Sequence, residues 1–222
     1  MKLHNFIIHF GTVIIIVAFF VAIVFIKSAK PKYYKYIFEL IILGLLISAN
    51  SILRIVIKIE RDIILSAIER VLLLFQFIAL SFFYRDLLKE SIFYHITKRL
   101  IHFFIIIQIT LTSISILFKI PSYVKIVPNF FLIIYSVFYY RDLLKNKPTL
   151  ILIQSSAFWI VTGVFFSFCV SLPIYGLTPF MVRYPEYTNL RFQLFSISNM
   201  ALIIMYLFII KSYLCLKHPQ NL

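Results

Sequence analysis

The sequence predicts an all-α membrane protein, a bundle of seven transmembrane helices in one domain over residues 1–222, and three observations lead there. Seven apolar stretches, each at or near the ~20 residues that cover a ~30 Å hydrocarbon core as helix, occupy most of the 222 residues. The composition is 62% hydrophobic and 18% aromatic with a mean hydropathy of +0.99, which is more apolar than a water-facing surface tolerates. The Lys and Arg residues behind the net charge of +14 fall between the apolar runs. That placement suits lipid headgroups and topology and does not suit nucleic acid.

The first span, 6–26, has no charge from residue 11 onward. It lacks the small-residue spacing of a cleavage site and is followed directly by Lys27, Lys30, Lys32 and Lys35, so it reads as a retained helix. The second span, 36–56, carries Gly44 and Ser48 four residues apart, a pattern that lets helices approach closely. The third is 64–83. The fourth, 100–118, has Gln108, Thr112 and Ser115 as a polar stripe at helical spacing. The fifth, 123–140, is the least clearly apolar. In the sixth, 150–175, Ser155, Gly163, Ser167 and Ser171 fall at multiples of four with Trp159 in the remaining slot, which predicts a packing seam. The seventh is 190–210. Between the last two spans, 173–191 is expected to be the longest connection, an aromatic loop punctuated by Pro179 and Pro185. The stretch 84–99 mixes charges with Leu87, Leu88, Ile92 and Ile96, and is expected to run partly along the membrane surface.

Thirteen of the 22 Lys and Arg residues lie on the side of the odd-numbered loops and the C-terminus, and nine on the other. By the positive-inside rule the N-terminus is then outside and the C-terminus inside. Two odd-numbered spans close on the same hexapeptide: Tyr84-Arg85-Asp86-Leu87-Leu88-Lys89 recurs as Tyr140-Arg141-Asp142-Leu143-Leu144-Lys145. These copies are either equivalent interfacial anchors or, through Tyr84, Arg85, Asp86, Tyr140, Arg141 and Asp142, a paired docking surface for a partner.

Polar residues within spans are costly unless partnered, so they mark where a site would be. Glu69 and Gln76 lie seven apart on one face of the third span, Asn50 and Arg54 four apart on the second, and Gln193, Ser196 and Asn199 lie on the seventh. Two readings stand. Either Arg54 and Glu69 form an interfacial ion pair while Gln76 and Asn199 bond across helices, or Asn50, Arg54, Glu69, Gln76, Gln193 and Asn199 line a ligand pocket in the outer half.

Other chemistry has no footing in these residues. The histidines His4, His9, His95, His102 and His218 lack metal-site spacing, and Cys169 lies in the sixth span and Cys215 just past the seventh, so no metal and no cofactor are expected. No lysine precedes Lys211 in the last span, as a retinal protein would need, and no Gly-rich phosphate loop or Ser/His/Asp arrangement occurs.

Four short patterns run the length of the chain: Lys30-Pro31-Lys32-Tyr33-Tyr34-Lys35-Tyr36 leading into the second span, Phe83-Tyr84 leaving the third, Phe158-Trp159 with Gly163 in the sixth, and Ser196 with Asn199 in the seventh. In these the chain resembles a group of small, uncharacterised seven-span proteins of Bacteroidota. It departs from them at Gln76 and Phe195, where an acid and a histidine are frequent in the group. The resemblance implies a seven-helix bundle in the cell inner membrane and no established activity. A weaker similarity, of fold alone, links such proteins to the seven-span input regions of bacterial sensor kinases.

The expected function is a non-enzymatic sensing or scaffolding module in the lipid bilayer that acts through a separate membrane or cytoplasmic signalling protein, since the tail after Ile210 is too short for an output domain. The alternative is a small transporter or channel for a lipid-like or weakly polar solute.

Overall fold

A computed structural model of the chain describes residues 2–26, 32–57, 63–118, 123–146 and 155–216, and among them all regular structure is helical. The helices are α1 (Lys2–Phe25), α2 (Tyr34–Ile57), α3 (Ile63–Leu87), α4 (Tyr94–Phe118), α5 (Tyr123–Asn146), α6 (Ser156–Arg183) and α7 (Thr188–Cys215). All except α5 are long and apolar enough to cross a membrane. The chain is a multi-pass helical membrane protein. In hydrocarbon a helix satisfies its own backbone N–H and C=O groups, which is why the apolar runs fold this way.

Two expected connections turn out to be helical. The stretch 173–191 is not a long loop: α6 runs through Pro173 and Pro179 to Arg183, a single 3-10 turn at Pro185–Tyr187 reverses the chain, and α7 begins at Thr188. Proline stops helices in water, but inside a membrane the helical backbone has no solvated competitor, and α6 persists. Its N-terminus is set by Ser155, whose hydroxyl accepts from the Phe158 backbone N–H. Likewise 84–99 does not lie along the surface as a separate segment. The chain leaves α3 at Leu87, turns tightly around Ser91 and re-enters as α4 at Tyr94.

The principal packing partners place α1, α2, α3, α5, α6 and α7 in a closed ring, in that order, with α7 against α1. The fourth helix lies outside this ring, packed on α3 and α5. Its stripe of Gln108, Thr112 and Ser115 is buried there, and Arg70 of α3 donates to the Ser115 carbonyl. Because α5 is flanked by α3, α4 and α6, it shows less of itself to lipid than a helix with two neighbours. That shelter accounts for its lower apolarity, with Tyr135, Ser136 and Asn129 all buried.

Apolar packing is concentrated in one half of the ring. The core joins Ile37 and Leu40 near the start of α2, Leu80 and Phe83 near the end of α3, Leu132 and Tyr135 of α5, Ile160 and Val164 near the start of α6, and Met205 and Ile209 near the end of α7. The antiparallel course of successive helices brings all of these to the same level. The opposite half holds a cavity.

Candidate functional site

The cavity has a volume of about 510 Å³, within the ~300–1,000 Å³ range of small-molecule sites. All six helices of the ring line it, and α4 does not. At its rim Lys125, in the first turn of α5, donates through Nζ to Glu69 Oε1 of α3 at 3.2 Å, and the ammonium lies 5.0 Å from the centre of the Tyr175 ring of α6. Both charged side chains are about a quarter exposed, at 29% for Lys125 and 24% for Glu69. Gln76 follows two turns deeper on the Glu69 face, and Asn199 faces the same space from α7. Ser51 and Thr12 also line it, their hydroxyls returned to the carbonyls of Ile47 and Ile8 in their own helices. Deeper still, the Tyr206 hydroxyl meets the bare Cα of Gly44, in a space that a Cβ on Gly44 would occupy.

Behind Lys125, Gln76 and Tyr175 a second chamber of about 70 Å³ opens between α3, α5, α6 and α7. It is lined also by Pro128, Asn129 and Ser171. Ser171 is bonded to Ser198 of α7 at 2.9 Å. Asn129 is 4% exposed, and its amide nitrogen has no hydrogen-bond partner among the described residues.

Of the six residues expected at a ligand site, the structure brings Glu69, Gln76 and Asn199 to one cavity. Asn50 is buried elsewhere: its Nδ2 donates to the Leu65 carbonyl at 3.1 Å and ties the end of α2 to the start of α3. Gln193 is exposed on α7, away from the cavity lining. The side chain of Arg54 lies outside the described residues, and the described partner of Glu69 is Lys125. A site among these residues assumed that the second, third and seventh helices are neighbours, and of these α2 packs on α3 while α7 meets α2 only across the ring, through Tyr206 at Gly44. Between α1 and α6, α7 faces α2 and α3 across the ring. Lys125 and Tyr175 were missed because the first reads as a loop cation counted for topology and the second as part of a loop. The signal that could have found Lys125 is its position one turn before Pro128 and Asn129, polar and helix-breaking residues in an otherwise apolar run.

The tyrosine of the repeated hexapeptide faces inward in both copies. Tyr84 is fully buried, with its hydroxyl 2.6 Å from Ser136 Oγ of α5, and is therefore out of reach of a partner. Tyr140 donates to Thr162 Oγ1 of α6 at 3.0 Å. The remaining residues lie nearer the surface: Arg85 pairs with Asp86 at 3.0 Å and covers Phe82, Arg141 is exposed beside Phe93, and Asp142 is half-buried. At the same end Tyr34 meets Ser212 at 2.8 Å and Tyr33 meets Ser156 at 3.4 Å. Tyr33 precedes α2, and burial raises its phenol above the ordinary range, the Ser156 bond opposing the shift.

The small residues of α6 form a seam with α7. A Cβ on Gly163 would stand 2.9 Å from Phe208 Cβ and 3.2 Å from the Met205 backbone, while Ser167 and Ser171 continue the same buried line. Gly44 and Ser48 differ, since Gly44 admits a side-chain tip and Ser48 lines the cavity. Among the described residues no three His, Cys, Asp or Glu side chains are placed to hold a metal ion. The site's chemistry is that of an ion pair, amides and hydroxyls around a hollow with aliphatic walls, suited to holding a molecule. No family model, curated protein or solved structure matches the chain.

Proposed function

We propose that this protein is a non-enzymatic sensing module of the cell inner membrane, with its N-terminus outside, which takes a small ligand into the ring from the outer face and acts through a separate partner at the cytoplasmic face. The observation that carries this reading is the asymmetry of the ring: a cavity bordered by Glu69, Lys125, Gln76 and Asn199 in one half, and a continuous tyrosine-and-aliphatic core in the other. A hollow that ends on packed core suits occupancy better than passage. The charge asymmetry of the loops supports the orientation, and the exposed Arg141 and the Arg85–Asp86 pair supply the charged groups at the face where a partner would dock.

Transport of a lipid-like or weakly polar solute is the second reading. It is favoured by Pro128, which removes one backbone hydrogen bond from α5 beside Lys125, as in the interrupted helices of transporters. Affinity purification in mild detergent, with identification of co-purifying protein and lipid, separates the two. Sensing predicts a stoichiometric protein partner and no solute flux in proteoliposomes. Flux without a partner would establish the transporter. A C-terminal reporter active only outside the cytoplasm would overturn the orientation.

A further inference from the structure

Three properties of the two chambers define what they can hold. Among the described residues, Glu69 and Lys125 are the only charged ones lining either chamber, and they pair with each other. A ligand bringing net charge into this low-dielectric space would leave one charge unmatched, at a cost of several kcal/mol for a desolvated ion. The inner chamber also holds donors that an incoming acceptor could engage. Among the described residues the buried Asn129 amide nitrogen has no partner, and of the three N–H groups of the Lys125 ammonium Glu69 accepts one and Tyr175 engages another, leaving one. A buried donor without a partner costs ~1–3 kcal/mol, which an incoming acceptor would recover. The outer chamber is walled by Ile8, Ile15, Leu73, Leu202 and Ile203, a surface for alkyl groups.

We infer that the site binds a net-neutral, single-tailed amphiphile whose head bears ester, hydroxyl or carbonyl oxygens, with the head in the inner chamber against Lys125 and Asn129 and the tail in the outer one. This assignment rests on the reading of the cavity as a ligand site and adds the ligand's chemistry and its direction of entry. The head goes in first, because the buried Asn129 amide nitrogen that lacks an acceptor among the described residues lines the inner chamber and not the outer one. Lys125 keeps Glu69 and shares a further N–H with the ligand, so no charge is stranded.

The test uses the full chain in phosphatidylcholine nanodiscs and a photoactivatable monodecanoylglycerol, with labelled peptides identified by mass spectrometry. Three competitors share one ten-carbon tail and differ in head charge: 1-decanoylglycerol, decyl sulfate and decyltrimethylammonium. Labelling should fall on the cavity-lining stretches of α3, α5 and α7, and the neutral competitor should displace it at a tenfold lower concentration than either charged one. Asn129→Leu should weaken labelling about tenfold while the protein's melting temperature is held or raised. That combination separates a lost ligand contact from a lost fold. Equal competition by a charged probe, or unchanged labelling of Asn129→Leu, would overturn the head-group assignment and leave the cavity as a ligand site. Labelling spread over lipid-facing positions such as Phe20, Ile106 and Leu207 would overturn both.

Discussion

Where α1, α3, α5 and α7 finish, the polar atoms inside the ring are tips of large rings: Tyr34 against Ser212, Tyr84 against Ser136, Tyr140 against Thr162. At the other end they belong to Glu69, Lys125, Gln76 and Asn199, and there the ring encloses a hollow. Both ends satisfy polar groups between helices. A tyrosine does so while its ring fills the space behind the hydroxyl, and a serine or threonine opposite adds almost no bulk. Carboxylate, ammonium and amide groups carry polarity on thin stems, and nothing fills the volume between them. Closure and opening thus follow from how much carbon accompanies each polar atom, not from how many polar atoms there are.

Four sets of substitutions sharpen or break this contrast. The largest effect is expected for Gly163→Leu, in the packed half: with Phe208 and the Met205 backbone already in contact range, the cost should reach or exceed the ~3 kcal/mol upper end of overpacking, seen as loss of monodisperse folded protein. Unchanged thermal stability would show that α6 and α7 do not meet there. Next comes Lys125→Met, which removes the ammonium paired with Glu69. Partial exposure of both groups reduces the penalty to about 2 kcal/mol, and adding Glu69→Gln should recover most of it in a double-mutant cycle. An additive cycle would mean the two groups do not interact.

Gly44→Ala tests the floor of the cavity. Its new methyl takes the place of the Tyr206 hydroxyl, for a loss of ~1–2 kcal/mol in thermal unfolding, and Tyr206→Phe in the same chain should restore stability. Failure of the rescue would put the clash elsewhere. The smallest effects belong to the two hexapeptide copies. Tyr84→Phe should cost about 1 kcal/mol and Tyr140→Phe about half of that, since Tyr84 is fully buried and Tyr140 half-buried, while Ser136 and Thr162 each keep a carbonyl partner in their own helix. Equal losses would mean that the two identical sequences have equivalent surroundings.

The helices were legible because lipid demands long uninterrupted apolar runs, and each of the seven expected spans overlaps one observed helix. The α6–α7 junction was not, because Pro173, Gly176 and Pro179 carry the turn preferences of chains in water, where solvent can replace a missing helix bond. For the site, depth was legible and direction was not. Glu69 and Gln76 share a face by their spacing of seven, but Asn50 and Gln193 lie at suitable depths and point elsewhere. Lys125 entered the cavity because α5, rather than α4, completes the ring, and the order of helices around a bundle is written in contacts between side chains far apart in sequence.

The contact of α1 with α7 also has a consequence for how the protein is made. Synthesis of α2 through α6 separates the two, so α1 must wait in the bilayer with one of its two flanking helices missing. Its residues permit the delay: from Phe6 to Phe25 the polar side chains are His9 and Thr12, and Thr12 is already bonded to Ile8 of its own turn. By contrast α3, which carries Glu69, Arg70 and Gln76, finds partners in Ser115 and Lys125 of the next two helices to emerge. The order of the helices along the chain thus matches the urgency of their needs: the segment that tolerates lipid longest comes first, and the one that closes the ring on it comes after all the others described.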